Sequence, residues 1–188
     1  MKIIAVIPAR YEASRFPGKL MQLLGDKTVI AHTYQNIVAT KLFSEVIVAT
    51  DNDSIQKEIE AIGGQVFRSK KNHECGSDRI AEAVLDNSAD LVVNIQGDEP
   101  FLNQSSLSSL LNAFESDSNK KIDLASLMIP LVEKEEIENP NNVKVIVDQD
   151  NFALYFSRSS IPYYRATDVS KIYHKHIGVY AFRRQALI

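Results

Sequence analysis

The chain has 188 residues, with 21 Lys plus Arg against 24 Asp plus Glu and a formal net charge of −3; its pI is near 5.8. An apolar content of 45% suffices for a continuous core and excludes wholesale disorder, while the mild acidity gives no general attraction to nucleic acid or an anionic membrane. Cys75 is the only cysteine, which leaves no internal disulfide and no thiolate-rich metal cluster.

The first apolar run, KIIAVIP (residues 2–8), reads as a strand buried on both faces. Pro8 and Arg10 cut it short, so it is a poor signal peptide, and no run is long enough to span a bilayer. A soluble cytoplasmic protein is expected. After a loop, Thr28 to about Lys41 reads as a helix with Val29, Ile30, Tyr34, Ile37 and Val38 on one stripe. EVIVATD (45–51) is a second buried strand. Asn52 or Asp53 is placed to cap a helix carrying Ile55, Ile59 and Ile62, stopped by Gly63-Gly64.

QVF is a short third strand, and Ser77 is the expected N-cap of a helix bearing Ile80, Ala83 and Val84. DLVVNIQ (90–96) is the next buried strand, followed by a helix near 105–114 and a strand near 124–130. This alternation predicts a parallel, doubly wound α/β sheet. The pattern then changes: NVKVIVD (142–148), FALYFSR (152–158) and HIGVYAF (176–182) predict an antiparallel extension in the C-terminal third. EKEEIEN (133–139) reads as a solvated face or a short helix, and 159–175 as the most loop-like stretch.

Ligands of open parallel sheets bind beyond the carboxyl ends of the strands. Three polar groups fall there: the loop from Arg10 to Lys19, Thr50-Asp51, and Gln96-Gly97-Asp98. A triphosphate needs fixed N–H groups, fixed cations and a metal ion. Gly18 permits close backbone approach, Arg10 and Arg15 offer planar forks, and Lys19 offers a point charge. Asp98 is placed to hold Mg²⁺, which prefers carboxylate and phosphate oxygens. Alone, each signal is weak. PGK is a common turn and not the Walker phosphate loop, Thr50-Asp51 reads as a strand end plus a turn, and His32 reads as structural. His73 beside Cys75 hints only faintly at a metal pair. Cations and a carboxylate at corresponding edges of one sheet carry more weight together.

Seven stretches in order, IPARYEASRFPGK, VATDN, HECGSDRIAEA, VNIQGDEPFL, NPNNVKVI, ALYFSRSSIP and HKHIGVYAFRR, resemble the 3-deoxy-manno-octulosonate (Kdo) cytidylyltransferases over essentially the whole chain. The resemblance implies a Rossmann-like nucleotide-diphosphosugar transferase fold, a homodimer, and activation of Kdo with CTP and Mg²⁺ for lipopolysaccharide biosynthesis. It implies that Arg10, Arg15 and Lys19 contact the CTP phosphates, that Asp98 ligates Mg²⁺, and that Arg79 and Gln96 line the nucleotide–sugar pocket. Lys19, Arg15 and Asp98 would carry catalysis. Arg158, His176 and Tyr180 resemble the residues that hold the sugar acid; a core aromatic is the competing reading of Tyr180.

Ala13 stands where the family usually has Ser, Leu20 where it has Pro, and Ser77 where it has Thr. The resemblance also implies a further C-terminal segment with a DTPEDL-like stretch bearing a second metal-binding aspartate. The expected organisation is one nucleotidyltransferase domain lacking that segment, with residues 1–130 binding nucleotide and 131–188 serving the sugar and dimerisation. Rival expectations are a cytidylyltransferase for 8-amino-Kdo or a sialate-type acid, and a catalytically silent nucleotide-binding module. The partners expected are CTP and Kdo, with neither nucleic acid nor membrane.

Overall fold

The computed structural model describes residues 1–12, 16–71, 73, 75–166 and 171–188. In chain order the first half runs β1 (Ile3–Ala9), a 3-10 turn (Lys19–Met21), β2 (Leu23–Leu24), β3 (Lys27–Thr28), α1 (Val29–Ala39), β4 (Glu45–Thr50), α2 (Asp53–Ala61) and β5 (Gln65–Arg68). It continues with α3 (Gly76–Val84), β6 (Leu91–Asn94), α4 (Gln104–Glu115), β7 (Leu124–Leu131), α5 (Lys134–Glu138), β8 (Lys144–Val147), β9 (Ala153–Ser157), β10 (Tyr173–Arg183) and α6 (Arg184–Leu187). These elements form two compact units, residues 1–125 with 179–188, and residues 126–178.

In the first unit four parallel strands lie in the order β5-β4-β1-β6, followed by the end of β10, which runs antiparallel to β6 from Tyr180 opposite Asn94 to Arg183 opposite Leu91. β1 is central because its side chains are apolar on both faces: Ile4, Ala5, Val6 and Ile7 are all fully buried. Ile4 and Val6 pack with Ala49, Val92, Ile80 and Val84, so α3 covers the face to which the even residues of β1 point. The mixed α/β sheet agrees with the class expected from sequence.

Side-chain caps start three of the helices among the described residues, α1, α2 and α4. The Thr28 hydroxyl accepts from the Ala31 N–H at 3.2 Å, and Asn52 Oδ1 accepts from the Ser54 and Ile55 N–H groups at 2.9 and 3.2 Å. Asn103 caps α4 in the same way through Ser106 N–H.

Four expectations are corrected in detail. Val38 is 46% exposed, because the buried stripe of α1 runs through Ile30, Ala31, Thr33, Tyr34 and Ile37. Ile62 falls one residue beyond α2 and is exposed. Cys75, not Ser77, is the N-cap of α3, since the chain is still extended there and turns helical at Gly76; it makes no side-chain capping bond. β7 pairs with β10 and does not extend the parallel run, consistent with its exposed Leu124 and Ile129, which a strand buried on both faces would not tolerate.

In the second unit β8 and β9 form an antiparallel hairpin, and β10 pairs with β8 at Lys175 opposite Lys144. Asp148 closes the hairpin, its Oδ1 accepting from the Asp150 and Phe152 N–H groups. Among the described residues, no helix is long and apolar enough to cross a membrane.

Candidate active site

The end of β1 delivers the chain into a loop shaped by Phe16-Pro17-Gly18-Lys19. Lys19 N–H donates to Phe16 O, and Gly18 lies at φ +70°, the left-handed geometry that a Pro-Gly turn supplies without strain. The Tyr11 ring lies against Gly18, and Gly18 N–H returns to Tyr11 O at 2.8 Å. This closes the loop and points Lys19 toward the end of β6.

There Gln96-Gly97-Asp98-Glu99 forms a second turn, closed by Glu99 N–H to Gln96 O. Gly97 is closely packed: a Cβ would lie 3.1 Å from Leu20 and 3.2 Å from Ile30, so these side-chain ends would have to shift by a few tenths of an ångström. Its carbonyl accepts from the buried Thr33 hydroxyl at 2.8 Å. The two loops therefore meet closely, and Lys19 Nζ donates to Asp98 Oδ2 at 2.6 Å. Both side chains remain half exposed, so this pair is open to exchange with solvent or ligand.

A cleft of about 650 Å³ opens over the pair, lined by Arg10, Glu12, Lys19, Gln96 and Asp98, with Gly76 at the N-terminus of α3 on its wall. Gln96 Nε2 donates to Asn94 Oδ1 at 3.3 Å. Arg10 Nη2 is buried without a hydrogen-bond partner among the described residues. A second cleft of about 400 Å³ shares Arg10 and Glu12 and adds Asp51, Asn52, His73 and Arg79. Arg79 is fully buried and donates to Asp51 Oδ2 at 2.6 Å. That hydrogen bond, with the charge of the guanidinium, holds the Asp51 carboxyl below the usual carboxylate range.

Arg10, Lys19, Gln96 and Asp98 thus share one cleft, and Arg79 lies in the adjoining one. Arg15 lies outside the described residues. Asp51, read from sequence as part of a turn, is the ion-pair partner of Arg79; nothing local in the sequence signals a pairing across 28 positions. His73 pairs with Glu82 Oε2 at 2.7 Å and not with Cys75, which is exposed. Ser69 Oγ and Lys70 N–H also donate to Glu82. His32 Nε2 lies 2.6 Å from Leu24 O.

In the second unit Arg158 Nη1 donates to Pro140 O at 2.8 Å. Phe156 meets His176 edge to face at 5.0 Å, and burial pushes the imidazole below its ordinary value. Lys144, unremarked in the sequence, is fully buried there; its Nζ donates to Asn139 O and Asn142 O, and desolvation lowers its pKa. Tyr180 belongs to the first unit, where it lies 6.2 Å from the Phe182 ring and burial raises its phenol.

Mg²⁺ binds through one or two carboxylates when substrate phosphates and waters complete its shell. Asp98 suits that role: Oδ2 takes Lys19, and Oδ1 has no hydrogen-bond partner among the described residues. No group of three or more His, Cys, Asp or Glu side chains among the described residues is arranged to hold a metal by itself. The donor set fits an ion that arrives with a phosphate ligand.

The pattern of a family described as cytidylyltransferase matches residues 4–188. A 3-deoxy-manno-octulosonate cytidylyltransferase of Christiangramia forsetii is 60% identical over 187 residues, covering 100% of this chain and 75% of the relative. One of the same name from Flavobacterium johnsoniae is 60% identical over 188 residues, covering 100% and 77%. An 8-amino-3,8-dideoxy-manno-octulosonate cytidylyltransferase of Shewanella frigidimarina is 39% identical, covering 98% and 76%. Among solved structures, a CMP:2-keto-3-deoxy-manno-octonic acid synthetase complexed with CTP superposes with a TM-score of 0.92 at 37% identity, covering 100% of this chain and 76% of that one.

Proposed function

The chain belongs to the cytidylyltransferase family, and from that membership we propose that it transfers CMP from CTP to 3-deoxy-D-manno-octulosonate, forming CMP-Kdo and pyrophosphate. The observation that carries this reading is the match of the whole chain to two relatives named for that acceptor. The first-unit cleft supports it, because a cation and a carboxylate in direct contact are the two groups a magnesium–triphosphate would engage.

In the reaction the anomeric hydroxyl oxygen of Kdo bonds to the α-phosphorus of CTP while the bond to the bridging oxygen of pyrophosphate breaks. The hydroxyl proton leaves to solvent. No covalent enzyme intermediate is required, so the residues contribute by orientation and charge neutralisation. Arg10 and Lys19 grip the phosphates, joined by Arg15, while Arg79 and Gln96 hold the rest of the nucleotide. Lys19 exchanges the Asp98 carboxylate for phosphate oxygens, which frees Asp98 for the metal. When bound there, Mg²⁺ neutralises phosphate charge and polarises the phosphoryl oxygens. The sugar acid is assigned to Arg158, whose guanidinium suits a carboxylate, and to His176 and Tyr180, whose polar tips suit hydroxyls.

The reaction belongs in the cytoplasm, where CTP is supplied, and the product serves lipopolysaccharide synthesis. A homodimer is the assembly. It is supported by β9, the terminal strand of its sheet, whose Leu154 and Tyr155 are each 64% exposed. Light scattering should give twice the chain mass, and Leu154→Lys should shift it toward monomer.

An 8-amino acceptor is the second reading, favoured by the Shewanella relative and set lower by that relative's smaller identity. Pyrophosphate release measured with CTP, Mg²⁺ and a panel of sugar acids separates them. Release with Kdo and formation of CMP-Kdo are expected. Release with the 8-amino analogue or a sialate, and none with Kdo, would overturn the assignment of the acceptor.

A further inference from the structure

Among the described residues the buried guanidinium of Arg79 has a single hydrogen-bond acceptor, Asp51, to which Nη2 donates. Nε and Nη1 are also buried and have no hydrogen-bond partner among the described residues. Leaving charged donors unsatisfied in the interior is costly, so their persistence calls for an acceptor that binds in the cleft lined by Arg79.

Asp51 is held from both sides. Thr50 O accepts from Ser69 N–H at 2.9 Å just before it, and Asn52 caps α2 just after it. Capping is therefore done by Asn52, and the side-chain hydrogen bond of the Asp51 carboxylate goes to Arg79. That carboxylate is not the cap of the helix, and its strongest partner is the Arg79 guanidinium, ahead of its own backbone N–H and the more distant charge of Arg68. That pairing fixes the plane of the guanidinium.

We infer that Asp51 is a positioning residue for nucleotide binding: its carboxylate orients Arg79 so that the two remaining donor nitrogens meet acceptor atoms of the bound nucleotide. The role rests on the nucleotidyl-transfer reading above. Asp51 acts through Arg79 and does not touch the reacting atoms.

The test is calorimetric titration with CTP in the presence of EDTA, using the full chain, Asp51→Ala, Asp51→Asn, Arg79→Ala and the Asp51→Ala/Arg79→Ala double variant. Asp51→Ala should weaken CTP binding about tenfold or more, the scale of a lost hydrogen bond to a charged group. The double variant should bind no worse than Arg79→Ala alone, because the two residues act as one unit. Asp51→Asn, which keeps the shape and one acceptor oxygen, should fall between and carries the test if the alanine variant does not fold. In turnover assays KM for CTP should rise while KM for the sugar acid holds. Unchanged CTP affinity in Asp51→Asn and Asp51→Ala, additive losses in the double variant, or a loss seen only with Mg²⁺ would each overturn the positioning role. Failure of the unaltered chain to bind CTP would instead overturn the nucleotidyl-transfer reading on which it stands.

Discussion

At the scale of single residues, the site depends on which small groups let which charged groups approach. Gly97 leaves space for Leu20, the residue that stands where the resembling family usually has Pro, and this contact draws the Lys19 loop against the Asp98 turn. The ammonium and carboxylate that result are half exposed, so their mutual attraction stabilises the fold little and leaves both groups exchangeable. Their proposed value lies in catalysis. Lys19→Ala and Asp98→Asn should each cut CMP-Kdo formation by about a hundredfold or more, the cost of losing one fixed charge-stabilising donor. Initial rates at saturating CTP measure this, and near-normal turnover in both would remove them from the machinery. That Lys19 and Asp98 would lie at neighbouring strand ends was legible, because each follows a buried strand and stands among turn formers. Asp51 was not, because its meaning lies in Arg79, and a turn residue with a distant partner looks like any other turn residue.

Among elements, α2 and α3 hold the walls of the smaller cleft. Removing the α2 cap with Asn52→Ala should cost about 1 kcal/mol of stability, read as a lower urea midpoint at unchanged m-value. α3 is tied to the strand-end segment by Glu82, which accepts from Ser69, His73 and Lys70. The Ser69 hydroxyl, then the His73 ring and the Lys70 N–H, outweigh desolvation and hold the Glu82 carboxyl down to about 2 from its ordinary 4.5. A carboxyl depressed in the folded state stabilises fully above its unfolded value, and that contribution is lost as pH falls through the folded one. Stability should therefore decline between pH 4.5 and about 2, and Glu82→Gln should flatten the decline in urea titrations at stepped pH. A decline equal in both proteins would dissociate it from Glu82. The elements legible in sequence were those with one dominant apolar stripe or run, such as β1, β4 and α2. The start of α3 was misplaced because Ser77 is a better capping residue than Cys75, yet the chain turns helical before reaching it. The two-residue strands β2 and β3 are too short to carry a period.

For the molecule as a whole, the alternation of strands and helices gave the parallel core, and the change to alternating polarity after residue 140 gave the antiparallel strands of the C-terminal third. The partner of β7 was not readable. A run such as LASLMIPL does not say which strand it joins, and only its exposure in the structure marks it as unsuited to the middle of a parallel sheet. Buried Lys144 was equally silent, since its acceptors are carbonyls of a turn and carry no sequence signature. On the proposed mechanism, Lys19 and Asp98 exchange their contact for a shared magnesium–CTP complex. The most direct test of that exchange is the CTP dissociation constant of the unaltered chain and of Asp98→Asn, measured with and without Mg²⁺. Mg²⁺ should tighten CTP binding to the unaltered chain and lose most of that effect in Asp98→Asn, whose metal-free affinity is retained or improved as Lys19 is released. An equal gain from Mg²⁺ in both proteins would contradict it.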